Sequence, residues 1–309
     1  MKEFVVLNSP FVHSGNDVNK MFLYTAVALM VPAVFGIMFF GLEALFIILV
    51  SLATCMFSEM LFNFINKNEF KVNNFSCFVT GMILALTFPV KTPLYVVAAA
   101  AFFAIFVVKS AFGGLGFNKL NPAVCGRCLA GVILPALASE LYAFTLNEEL
   151  YESLSVGGTN TIFNMLSGQA VGGIGTTCTL FIAICGLFLM FAKVIDFKIP
   201  VVAMLSYFVV ATVTSNYEQA VIHMLSGSFV FISVFMITDP NTSPDTILGK
   251  LIYAILFGVA SALIWPLGRL GENALFVVAL MVNIVAPILD RYLAIKPVQI
   301  GGYRNAYKK

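Results

Sequence analysis

Few residues in this chain can do chemistry, and they gather in a small number of places. The stretch AFGGLGFNKLNPAVCGRCLAG, residues 111–131, lies between two apolar runs and holds five glycines, Asn118, Asn121, Lys119, Arg127 and the pair Cys125-x-x-Cys128. Two thiols three apart on a helix can ligate a metal or form a redox pair. A metal needs further ligands, however, and no second such pair exists; Cys55, Cys77, Cys178 and Cys185 are scattered through apolar runs. There cysteine behaves as a small hydrophobe, so no metal or cluster site is expected within this chain. Gly113 and Gly114, ahead of a helix, allow the backbone to approach a flat ligand, and the helix start offers unpaired N–H groups. Asn118 and Asn121 add amide donors and acceptors suited to the edge of a heterocycle. A phosphate-cradling loop would end in Lys-Ser/Thr, which is missing. The same letters also spell a helix start with Asn121 as N-cap and Pro122 at the first position. Spacing alone leaves both readings open.

Elsewhere the candidates stand singly. His13 and His223 are too isolated to form a metal or haem site, but His223 falls inside an apolar run, where an ionisable group can mark an ion or proton path. Glu59 and Glu140 sit near the ends of apolar runs and read as side chains reaching toward the interface. Thr159, in SVGGTNT (155–161) and flanked by Gly157 and Gly158, offers a hydroxyl with room around it. Such a threonine is either a site of modification or an ordinary loop residue.

The elements that must position these residues are set by composition. Of 309 residues, 60% are hydrophobic and 10% charged, against about 25% charged in an ordinary soluble domain. Runs long enough to cross a hydrocarbon layer of roughly 30 Å recur along the chain. The expected fold is all-α, with about ten transmembrane helices near 22–40, 42–64, 76–90, 93–109, 121–141, 175–194, 197–214, 219–237, 248–267 and 271–294. With the N-terminus inside, only Lys91 and Arg269 of the 17 Lys and Arg residues fall outside, so both termini are expected to be cytoplasmic. Residues 1–21 lack a cleavage signature and read as a cytoplasmic arm, with 295–309 as a cytoplasmic tail. The formal charge of +2 gives no reason to expect nucleic acid.

Five spans on each side of a long outer segment suggest two halves, 22–141 and 175–294, in opposite orientation. The third span of each half, TGMILALTFPVKTP (80–93) and SGSFVFISVFMITDPNTSP (226–244), begins with a hydroxyl–glycine pair and leaves through a Pro-rich polar exit. Between the halves, 142–174 carries Glu148, Glu149 and Glu152 and no Lys or Arg.

VTGMILALTFPVKTPLY (79–95), KSAFGGLGFNKLNPAVCGR (109–127), GGIGTTCTLFIAICGLFLM (172–190) and MITDPNTSP (236–244), after an opening SPFVHS, carry a resemblance over nearly the whole chain. They resemble the D subunits of Rnf ion-pumping oxidoreductase complexes, homologous to the B subunits of sodium-pumping NADH:quinone oxidoreductases. The resemblance implies a urea-transporter-like fold, an inner (cytoplasmic) membrane location, and partner subunits of the A, B, C, E and G types. It implies an electron-transfer subunit coupling ferredoxin and NAD, both reached indirectly, to Na⁺ or H⁺ movement, and it implies two flavins. One is FMN joined by a phosphoester to an outer threonine in an Asp-x-x-Ser/Thr-x-Ala-Thr pattern. Here Thr159 takes the acceptor place, while Ser153, Val156 and Gly158 replace the family's residues and Gly175-Thr176 replaces its Gly-Glu. The other, a riboflavin or second non-covalent flavin, sits against the Asn-x-x-Asn-Pro segment, which is Asn118 and Asn121 here. Gly157, Gly158, Gly113, Gly114, Thr80 and Gly81 complete the expected cofactor-binding set. The alternatives are a quinone-reductase-type B subunit, which usually has a longer N-terminal extension, and a solute channel of the same fold, which would carry no flavin.

Overall fold

The computed structural model describes residues 18–66, 75–114, 118–134, 166, 172–215, 217–225, 227–264 and 273–293. Among these, every regular element is a helix. They are α1 (Val18–Phe40), α2 (Leu42–Ile65), α3 (Ser76–Leu86), α4 (Leu94–Phe102), α5 (Pro122–Cys128), α6 (Thr179–Phe191), α7 (Lys198–Thr214), α8 (Tyr217–Leu225), α9 (Gly227–Phe231), α10 (Ile247–Ile264) and α11 (Asn273–Leu293). Three run on into wider π-type turns: α4 over Phe103–Ser110, α5 over Leu129–Ile133 and α9 over Ile232–Met236.

Four helices, α1, α2, α10 and α11, are long and apolar enough to cross a membrane. The expected spans at 76–90, 175–194 and 219–237 are shorter or interrupted, for local reasons. Helix α3 stops at Leu86 because Pro89 and Pro93 cannot continue it. Residues 175–178, expected to begin a span, instead continue an irregular segment, 172–178, that holds three glycines and two threonines, and α6 begins only at Thr179. The span expected over 219–237 comes as α8, then α9 with its π-type extension.

Helix α2 packs on α3 and α4, α1 on α3 and α6, α7 on α10, and α11 on both α10 and α5. Small residues set the closest approaches, as they do where lipid tails leave no hydrophobic drive between helices. A Cβ on Gly126 of α5 would lie 2.8 Å from the Ala100 carbonyl oxygen of α4. The outer faces are apolar: Phe64, Phe191, Val213 and Tyr292 are each at least 80% exposed. The polar residues are inside, with Lys109, Arg127, Asn118, Asn121 and Asn283 all buried. This inversion of the soluble pattern follows from a hydrocarbon solvent, in which irregular backbone survives only where protein groups satisfy it.

Candidate functional site

The interrupted helices determine where the polar groups go. The end of α3 leaves carbonyls at Leu86, Thr87 and Phe88 that the helix cannot pair. Two are met by the irregular segment before α6: Gly175 N–H donates to Leu86 O at 2.8 Å, and Ile174 N–H to Phe88 O at 2.9 Å. The third, Thr87 O, accepts from Arg127 Nε at 3.2 Å. Gly173 is required at this junction, since a Cβ there would come within 2.5 Å of the Thr87 carbonyl. The Arg127 guanidinium lies 5.2 Å from the Phe88 ring centroid and 4.7 Å from that of Phe276, a cation–π sandwich inside the bundle.

The second interrupted end, after Met236, is met by Asn121. Its amide Nδ2 donates to Met236 O at 3.0 Å and to Asp239 Oδ2 at 3.4 Å. Its Oδ1 accepts from Ala123 N–H at 3.0 Å and Val124 N–H at 3.4 Å, capping α5 with Pro122 in the first turn. Its own N–H donates to Asn283 Oδ1 at 2.8 Å, and Asn283 Nδ2 donates to Thr242 O and the Tyr253 hydroxyl. Helix α5 therefore holds one interrupted end at its start and the other six residues later, a rise of about 9 Å.

Beside Asn121 opens a cavity walled by Thr80, Lys109, Asn118, Asn121, Asp239 and Asn241 among others, with an apolar floor that includes Ile83, Val234 and Phe235. Asn118 and Asn121 are 5% and 4% exposed. The two amides differ in what they have left to offer. Both ends of the Asn121 amide are engaged, whereas Asn118 makes one long bond, Nδ2 to Leu120 O at 3.4 Å. Its Oδ1 is buried without a hydrogen-bond partner among the described residues. A buried orphan acceptor costs about 1–3 kcal/mol until something donates to it. A flat heterocycle presenting an imide N–H meets that need, so the residues present fit the edge of a flavin ring.

Charge at the cavity is held by two acids and a lysine. Lys109 Nζ pairs with Glu59 Oε1 at 2.9 Å, so Glu59 turns inward to a partner rather than toward the interface. Asp239 accepts from Asn241 N–H and the Thr242 hydroxyl, but burial outweighs these bonds and pushes its carboxyl up to about 6.

The expected site residues separate on this geometry. Thr80, Asn118 and Asn121 come together on one cavity. Gly81 instead faces α2, where a Cβ would meet Leu52 Cδ2 at 3.1 Å, and it accepts a bond from Ser51 at its carbonyl. Gly113 and Gly114, at φ 110° and 84°, terminate the helix through bonds to Ser110 O and Lys109 O. That left-handed backbone is why glycine stands there. Cys125 and Cys128 are buried thiols on α5, and His223 lies on α8, apart from the cavity lining. Thr159, Gly157, Gly158, His13 and Glu140 lie outside the described residues. Sequence reasoning missed Arg127, Asn283, Tyr253 and the carboxyl of Asp239. A usable signal is an amide or cation inside an apolar span, which must find a partner there.

Known proteins match along the same length. The chain is 32% identical to the D subunit of a proton-translocating ferredoxin:NAD(+) oxidoreductase complex of Clostridium ljungdahlii, over 97% of each chain. It is 28% identical to the D subunit of a Na(+)-translocating ferredoxin:NAD(+) oxidoreductase complex of Acetobacterium woodii, over 93% of this chain and 92% of that one. The B subunit of a Na(+)-translocating NADH-quinone reductase of Ectopseudomonas mendocina is 31% identical over 77% of this chain, but only 63% of its own. The model of the NQR2, RnfD, RnfE family matches residues 5–299, nearly the whole sequence. The chain belongs to the NQR2, RnfD, RnfE family.

Proposed function

We propose that this chain is the D-type membrane subunit of an ion-translocating ferredoxin:NAD oxidoreductase, and that its inner cavity holds a non-covalent flavin, riboflavin or a second flavin of that kind. The match over 97% of both chains supports the D-type reading over the B-type one, because this chain spans only 63% of the B-type relative. The observation that carries the cavity assignment is the buried, unpartnered Oδ1 of Asn118 in a cavity wall that also contains Thr80 and Asn121. A solute channel is disfavoured because the Arg127 guanidinium is sandwiched between the Phe88 and Phe276 rings at the end of α3, with all three residues 2% exposed or less.

When bound, the flavin would supply one- and two-electron transfer. The protein residues do the rest. Asn118 presents an acceptor to the ring edge, and the apolar floor of Ile83, Val234 and Phe235 excludes water from its face. Asn121 does not reach for the ring; it fixes the wall by tying α5 to Met236. Asp239 holds a proton up to about pH 6 and carries negative charge above it. The outer threonine Thr159 carries FMN by a phosphoester in this reading, with Gly157 and Gly158 leaving space for it. Ten spans in two inverted halves, with both termini in the cytoplasm, are the topology we assign, on the cation distribution and on the pair of interrupted helices.

The test uses inverted membrane vesicles from cells lacking this chain. Reduced ferredoxin should no longer support NAD reduction with ion uptake, and the wild-type chain should restore both. Unchanged coupled activity without the chain would end the proposal.

A further inference from the structure

A second cavity shares no lining residue with the first. Val108, Phe112, Lys119, Leu120, Ile284 and Pro287 line it, and its volume is about 340 Å³. It opens outward: Phe112 is 61% exposed and Ile284 51%. Five of the six lining side chains are apolar, and the sixth, Lys119, is an exposed cation. Arg291 stands on α11 one turn beyond Pro287 on the same face, four residues on, and is also exposed. Neither cation belongs to an ion pair among the described residues, where the pairs involve Glu59 and Asp196. The carboxylate next to Arg291, Asp290, is engaged elsewhere, accepting from Asp245 N–H at 2.9 Å. The flanking sequence adds no acid: 111–120 has none, and 294–309 carries Lys296, Arg304, Lys308 and Lys309 without an Asp or Glu.

The geometry points to a binding groove for one anionic phospholipid. An acyl chain lies along Val108, Phe112, Leu120, Ile284 and Pro287, and its phosphate is held between Lys119 and Arg291. The charge complementarity is one-sided, with Lys119 in the groove wall and Arg291 one turn beyond Pro287, the kind of basic pocket between membrane helices that takes anionic headgroups. A flexible acyl chain suits a groove of about 340 Å³ lined by five apolar side chains. A protein partner would instead cover the wider exposed face of Met281, Ile284, Ile288 and Tyr292. The inference does not depend on the flavin assignment, since none of these residues lines the inner cavity.

The test uses the whole purified complex, delipidated in mild detergent and titrated with phosphatidylglycerol or phosphatidylcholine under native mass spectrometry. Phosphatidylglycerol should bind this subunit in preference, and Lys119→Gln and Arg291→Gln should each weaken it about fivefold, at about one surface-cation contribution apiece. Ile284→Trp, which fills the groove without touching charge, should displace both lipids. Size-exclusion elution of the intact complex shows that each variant has folded and assembled. Equal binding of the two lipids, or wild-type phosphatidylglycerol binding in the double charge variant, overturns the proposal. So does loss of a partner subunit from the Ile284→Trp complex with lipid binding unchanged, which would make the groove a protein contact.

Discussion

Asn118 and Asn121 lie three residues apart in the same cavity wall, yet the structure assigns them opposite duties, and single substitutions should separate the two. Asn121→Ala removes the N-cap of α5, at about 1 kcal/mol. It also leaves the buried Met236 carbonyl without its 3.0 Å donor, for about 1–3 kcal/mol more. The total, about 2–4 kcal/mol, falls on the fold. Asn118→Leu loses only a long 3.4 Å bond to Leu120 O and should leave the fold nearly unchanged. What it removes is the acceptor waiting for a ligand, a hydrogen bond with a net value of about 1.5 kcal/mol, so the dissociation constant for non-covalent flavin should rise about tenfold. Two assays on the solubilised complex distinguish them: thermal unfolding, and flavin titration of flavin-depleted protein. Wild-type flavin affinity in Asn118→Leu would refute the cavity assignment. A loss of thermal stability in Asn118→Leu as large as in Asn121→Ala would refute the division of labour.

The Glu59–Lys109 pair, with side chains 16% and 3% exposed, should behave as a buried pair. Glu59→Gln or Lys109→Met alone should cost about 3–5 kcal/mol in thermal unfolding of the complex, and the double replacement should recover most of the loss. For Asp239, a folded-state carboxyl raised from 3.8 to about 6 means that the folded chain binds this proton more tightly than the unfolded one. Its contribution is therefore most favourable at low pH, and stability declines as pH rises from about 4 to about 6. Asp239→Asn should remove that slope, and parallel melting curves of wild type and variant across the window would contradict it. Thr159→Val should abolish flavin fluorescence that survives denaturation in a gel, in cells supplying the flavin transferase. A signal persisting in the variant would move the attachment elsewhere, with Thr161 the first residue to replace.

How much is readable in the sequence depends on how local the deciding contact is. The membrane class follows from composition; α3 ends at Leu86, short of the expected 90, although Pro89 and Pro93 are local signals for that stop. Asn121 as an N-cap follows from the adjacent Pro122, and its neighbours Ala123 and Val124 supply the N–H groups. At Gly113 and Gly114 the sequence points toward a ligand because glycine permits close approach. Glycine equally permits the positive φ that ends a helix, and the structure uses the second property. Gly81, named for the cofactor by the resemblance, packs against α2. The partners of Asn283 cannot be read locally: it meets Asn121 across 162 residues of sequence. The same holds for Arg127, whose carbonyl partner at Thr87 is orphaned only because α3 stops where it does. In a hydrocarbon solvent, each polar residue buried in a span implies a partner, but only the tertiary fold says which one.

Flavin in this subunit is the claim on which the proposed function stands, and the visible spectrum of the purified chain, taken before and after denaturation and gel filtration, tests it. A flavin absorption band is expected, with one portion released from the inner cavity in about equal amount to the protein and another remaining with the chain through Thr159. A colourless folded protein, purified from cells that supply both flavin and transferase, would contradict it.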